Sequence, residues 1–107
     1  MSNTWGNIIR LIKNGDIKIS EHGYDELAAD GITVREIVAG SLGGTIVEEY
    51  AEYPKGPCIL IMQKDREGHP IHVVWGIPRG LTSPAVLVTA YRPDPERWVD
   101  DFRRRKK

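Results

Sequence analysis

The chain has 107 residues, 40% hydrophobic and 28% charged, which is the make-up of one globular domain and not of a disordered or fibrous protein. Its 15 Lys and Arg balance 15 Asp and Glu, which argues against a protein that holds nucleic acid by its backbone alone, since such proteins are usually strongly basic. No apolar run reaches the about 18 residues of a membrane helix. The opening Met1-Ser2-Asn3-Thr4-Trp5 lacks the basic-then-apolar pattern of a secretory signal, and the lone Cys58 has no partner for an internal disulfide. The cytoplasm is the expected compartment.

In chain order, Thr4 is placed to cap a first helix over 4–14, with Trp5, Ile8, Ile9, Leu11 and Ile12 on its apolar face and Gly15 at its stop. Ile17-Lys18-Ile19 is a short extended piece. Ser20 is the N-cap of a second helix that ends before Gly31. Thr33 and Glu36 have capping-box spacing, so a third helix starts there and runs to about Ala39, broken by Gly40, Gly43 and Gly44.

From Thr45 the pattern becomes that of strands. Segments 45–53, 58–64, 71–77 and 85–91 are β-rich, separated by Pro54-Lys55-Gly56-Pro57, by the hairpin loop Asp65-Arg66-Glu67-Gly68 and by a Gly- and Pro-rich loop. Short turns exclude parallel crossovers between these four. After Pro93, Asp94 and Pro95 suit the start of a short C-terminal helix, which Trp98 and Phe102 would pin to the core. The expected fold is α+β, a single domain over 1–107: N-terminal helices packed on one antiparallel sheet of about four strands, with the core over roughly 17–98 and a basic tail at 103–107.

Several residues carry chemistry. His22 lies at the start of the second helix, where the positive end of the helix dipole favours the neutral imidazole, and Glu26 lies four residues on, on the same side. In segment 71–77, alternation puts Ile71, Val73, Trp75 and Ile77 on the core face and His72, Val74 and Gly76 on the other. His72 is therefore an acid–base candidate on a sheet face. Thr89, Tyr91 and Arg92 place a hydroxyl, a phenol and a guanidinium together, a set that can hold a phosphate. Arg79 follows Pro78 at a strand end. No standard metal motif, phosphate-binding glycine loop or nucleophile elbow occurs. No cofactor and no metal are expected, although His22, Glu26 and His72 are in principle a two-His, one-carboxylate set.

Ser20-Glu21-His22 followed by Asp30-Gly31-Ile32, then His72-Val73-Val74, Thr89-Ala90-Tyr91, Pro93-Asp94-Pro95 and Trp98 resemble, in order and spacing, a bacterial family known as domain of unknown function 4258. That family is similar to the RelE and BrnT toxins, in which helices pack on one antiparallel sheet. The resemblance implies a metal-independent, toxin-like endoribonuclease, with an antitoxin-like protein partner and RNA or the ribosome as its target. Carried over by position, His22, His72 and Tyr91 are the catalytic candidates and Thr89 contacts substrate; Arg79 and Arg92 are added from their positions alone. The chain departs from the family pattern at Glu26 and Asp30, where the family has Arg. Two anions there repel a phosphate unless Arg79 and Arg92 compensate. The neutral charge and these departures support an alternative: a non-catalytic protein-interaction domain on the same fold, binding through the acidic strand at Glu48, Glu49 and Glu52. A free edge at 45–53 would also allow a homodimer.

Overall fold

The computed structural model describes residues 3–99 and 101–105. Helix α1 (Asn3–Lys13) buries Trp5, Ile8, Leu11 and Ile12, the positions that helical spacing puts on one stripe. Helix α2 (Glu21–Ala29) is capped by Ser20, whose Oγ accepts from the Gly23 N–H at 2.9 Å. Helix α3 (Val34–Ser41) begins in a complete capping box: Thr33 Oγ1 accepts from the Glu36 N–H, and the Glu36 carboxylate accepts from the Thr33 N–H.

One sheet of five strands forms the rest of the scaffold, in the order β1-β5-β4-β3-β2. The strands are β1 (Ile17–Ile19), β2 (Thr45–Tyr50), β3 (Cys58–Lys64), β4 (Pro70–Gly76) and β5 (Ala85–Tyr91). β2 through β5 pair antiparallel through short connections. The inner face, with Ile59, Ile61, Ile71, Val73, Trp75 and Leu87, forms a single buried cluster with Trp5, Ile8, Leu11, Ile12, Leu27 and Ile37 of the helices.

Two expectations are corrected. The sheet is mixed and has a fifth strand: β1 lies parallel to β5, with Ile17 opposite Ala85 and Ile19 opposite Leu87. Three residues are too few for alternation to announce a strand, and the partner arrives far along the chain. Among the described residues the expected C-terminal helix is absent. A single turn at 95–97, in which Asp94 Oδ1 accepts from the Glu96 N–H, leads to two short strands, β6 (Trp98–Val99) and β7 (Arg104–Arg105), paired antiparallel. In the extended form Trp98 packs on the His72 ring and Arg105 reaches an anion on β2, contacts that hold the segment flat on the sheet. β2 itself ends at Tyr50, where the chain turns.

Two bulges shape the outer face, the side of the sheet away from the helical cluster. One lies in β2 between Ile46 and Glu48. The other lies in β5, where Val74 faces Thr89 and Trp75 faces Leu87, leaving Val88 as the extra residue.

Candidate functional site

The β5 bulge positions the chemistry. An unpaired stretch of ladder leaves the Val88 carbonyl free to accept from Ser20 Oγ at 2.8 Å, while the Ser20 N–H donates to the Leu87 carbonyl at 3.1 Å. These bonds stitch the start of α2 to the sheet. The contact is close enough that a Cβ at Gly23 would lie 2.9 Å from the Leu87 carbonyl oxygen and 3.2 Å from that of Val88, so only glycine fits. His22, one residue earlier, is thereby brought to the rim of the outer face.

There it meets an open cleft of about 580 Å³, floored by Val74, Gly76, Val86 and Val88 and rimmed by Ser20, His22, Tyr50, Tyr53 and Lys55. The His22 ring is well exposed, and its Nε2 lies 3.4 Å from the Glu26 carboxylate. The opposite wall is the loop carrying Tyr53 and Lys55. It is fixed by backbone bonds: Ile77 N–H to the Pro57 carbonyl at 3.1 Å and Arg79 N–H to the Lys55 carbonyl at 2.9 Å. Gly56 in that loop has φ 126, and a Cβ there would strike the Ile77 carbonyl oxygen. Cys58 also lines the cleft; burial pushes its thiol up, which keeps it protonated and unreactive.

Further along the same face His72 is fully buried. Its Nδ1 lies 3.3 Å from the Tyr91 hydroxyl and its Nε2 2.6 Å from the Phe102 carbonyl oxygen. The carbonyl can only accept, so Nε2 carries the proton and Nδ1 accepts from the Tyr91 O–H. Burial drives the His72 imidazole below its ordinary value and the Tyr91 phenol above its own, so both are neutral. Trp98 packs edge-on against the His72 ring with centroids 4.4 Å apart. Arg105 lies over Trp98 at 4.7 Å and forks onto Glu48, with Nε at 2.7 Å and Nη2 at 3.1 Å. Glu48 also accepts from the Tyr50 hydroxyl. The Arg105 guanidinium holds the Glu48 carboxyl below its usual range, against the opposing effect of burial.

The six residues read from sequence are thus distributed over three places. His72 and Tyr91 are in contact beneath β6 and β7, with Thr89 nearby opposite Val74. His22 stands apart from them, on the open cleft. Arg79 donates to the Pro54 carbonyl at 3.3 Å and braces the cleft wall. Arg92 lies elsewhere: its guanidinium pairs with Asp65 at 3.0 Å, and its N–H donates to Asp30 Oδ2 at 2.9 Å. It lines a separate polar hollow with Arg35, Lys64 and Arg66. The two acidic departures therefore have local partners, Glu26 on His22 and Asp30 on the Arg92 backbone. Among the described residues no group of three His, Cys, Asp or Glu side chains could hold a metal ion, so His22, Glu26 and His72 do not assemble into one.

The family model described as "Domain of unknown function (DUF4258)" matches residues 19–92. This chain belongs to that family. The match runs from the end of β1 through β5 and stops before the segment that covers His72. No curated protein and no solved structure matches the chain. No helix among the described residues is long and apolar enough to cross a membrane.

Sequence reading missed Tyr50, Tyr53 and Lys55 as cleft residues. The turn Pro54-Lys55-Gly56-Pro57 was visible, and a cation presented on a rigid turn between two strands was a signal to weigh. Nothing in the pattern told that Trp98 and Phe102 would cover the outer face instead of the helical core.

Proposed function

We propose that this member of the family is a metal-independent, toxin-like endoribonuclease of the RelE or BrnT kind, acting on single-stranded RNA along the outer face of its sheet. The observation that carries this reading is the cleft on which an imidazole, an ammonium group and two phenol rings converge: His22, Lys55, Tyr50 and Tyr53. Cleavage by the ribose 2′-hydroxyl needs a base for that hydroxyl, an acid for the leaving 5′-oxygen and a cation on the phosphate. His22, oriented by Glu26, takes the 2′-hydroxyl proton. Lys55 faces the phosphate, and Tyr53 with Tyr50 offers rings on which bases stack without sequence preference. His72 and Tyr91, further along the face, reach a leaving oxygen, and Thr89 a phosphate, only once β6 and β7 lift from the sheet. Arg79 braces the cleft wall, and Arg92, in the separate hollow, is left to bind RNA beyond the cleft. A protein partner that seats on the cleft would act as antitoxin.

The test is cleavage of a labelled oligoribonucleotide in the presence of a chelator, together with growth of bacteria expressing the chain. His22→Ala should slow cleavage by at least about 100-fold and relieve growth arrest, and Lys55→Ala should raise KM more than it lowers kcat. Full activity in His22→Ala, or no cleavage by the native chain, overturns the reading.

One observation favours the alternative of a non-catalytic interaction domain. His72 is sealed with both ring nitrogens engaged, and Arg92 is held by Asp65. On that reading the apolar floor of the cleft receives a protein segment. Affinity capture should then recover a partner that His22→Ala still binds and Val88→Asp does not, with no turnover of RNA.

A further inference from the structure

Residues 93–99 and 101–105 form a strap across the outer face, and this strap lies outside the residues that the family model matches. The strap supplies the indole and the carbonyl that cover His72, which is completely buried. The way it does so resembles a ligand. An indole ring packs against the imidazole, a carbonyl oxygen accepts from Nε2 as a phosphate oxygen would, and a cation lies on the outer side of the indole. To present that carbonyl, the strap's turn places two consecutive residues other than glycine in the left-handed region, Asp101 at φ 58 and Phe102 at φ 65. A strained turn whose carbonyl is aimed at a buried histidine is a contact held against local preference. What holds it is peripheral. The Arg105–Glu48 pair has side chains 59% and 28% exposed, the Lys64–Asp101 pair, 3.6 Å apart, is about half exposed at both ends, and exposed ion pairs are weak clasps.

We infer that the strap is an internal stand-in for a ribonucleotide: the sheet face around His72 and Tyr91 is a binding site for a base and phosphate of single-stranded RNA, closed by Trp98 and Phe102 until the Arg105–Glu48 clasp opens. The inference rests on the RNA-directed reading above and adds its control, an inhibitory segment belonging to the chain itself. The open cleft beside it lets the first nucleotides dock at Tyr53 and Lys55 while the strap is still down. A strand that extends along the face then competes with Trp98 for the His72 ring.

The experiment uses the full chain and its Arg105→Ala variant, with Trp98→Ala as the second variant and retained circular dichroism and a cooperative melt as the check on folding. Two quantities are read: the rate at which diethyl pyrocarbonate modifies His72, located by mass spectrometry, and the affinity for a fluorescein-labelled uridine decamer. In at least one variant the modification rate should rise, and decamer binding should tighten, by about tenfold or more, even though Arg105→Ala removes a cation. Adding His72→Gln should cancel the gain in affinity. If His72 becomes reactive and the decamer binds no better, the strap is only a structural cover and the inference fails. It fails equally if neither variant exposes His72. Tighter binding without cleavage in any form would leave this inference standing and defeat the nuclease reading.

Discussion

His72 shows how one residue's surroundings set the behaviour of the fold. Its ring is neutral because burial disfavours the charged form, and the Phe102 carbonyl offsets that only in part. In the unfolded chain the imidazole titrates near its ordinary value of 6.5, and in the folded chain only at lower pH. The unfolded state therefore binds more protons in this range, and stability falls as pH drops through 6.5 toward the folded value. Two carboxyls add a second loss at lower pH. Glu48 is held below 4.5 by Arg105, and Asp65 below 3.8 by the backbone N–H groups of His69 and Glu67 and by Arg92, so their contributions begin to be lost as pH falls below those values and are gone below the folded ones. Urea midpoints at pH 7.5 and pH 5 should differ clearly for the native chain. The difference should shrink in His72→Gln, which keeps a donor toward the Phe102 carbonyl. An unchanged difference would place the titrating group elsewhere.

Among the elements, α3 is eight residues long and too short to persist by propensity, so its capping box and its buried Ile37 must hold it. Thr33→Ala should cost about 1 kcal/mol in urea unfolding with little change in slope. That box was readable because Thr33 and Glu36 act locally, and the same holds for the apolar stripe of α1 and for the hairpins, whose period-two alternation carried His72 to the correct face. β1 and the strap were not readable for the opposite reason. β1 is three residues whose partner lies near the end of the chain, and residues 95–102 have a local pattern that suits a helix until Trp98 finds the outer face. The candidate site divides the same way. His22 and His72 could be named from motif spacing and alternation. The cleft that gathers Lys55, Tyr50 and Tyr53 around His22 depends on a bulge at Val88, and a bulge is set by the register of two paired strands and not by either strand alone.

For the whole molecule, zero net charge conceals a division of labour. The polar hollow beside the β3–β4 hairpin collects Arg35, Lys64, Arg66 and Arg92 against Glu36, Asp65 and Glu67, while the cleft is mostly apolar with a single lysine on its rim. Binding of a nucleic acid at the cleft should then depend only weakly on salt, with a slope corresponding to about one or two phosphates, because few counterions are released there. A titration of the decamer from 50 to 300 mM salt checks this. A steep slope would mean that the arginine-bearing hollow, and not the cleft, holds the strand.

The parallel pairing of β1 with β5 and the bond from Ser20 to Val88, 68 positions apart, tie the beginning of the described chain to its last long strand. During synthesis the first helices and β1 leave the ribosome long before β5 exists, and β1 has no neighbour to pair with until then. The cleft is consequently among the last features to form, since its floor, its bulge and the anchor of His22 all require β5. A nascent chain stalled before Ala85 would have helices and a three-stranded hairpin stack but no cleft floor beside His22. The candidate cleft is therefore missing from any product whose synthesis stops before β5, and whatever binds there can recognise the chain only after that strand has paired.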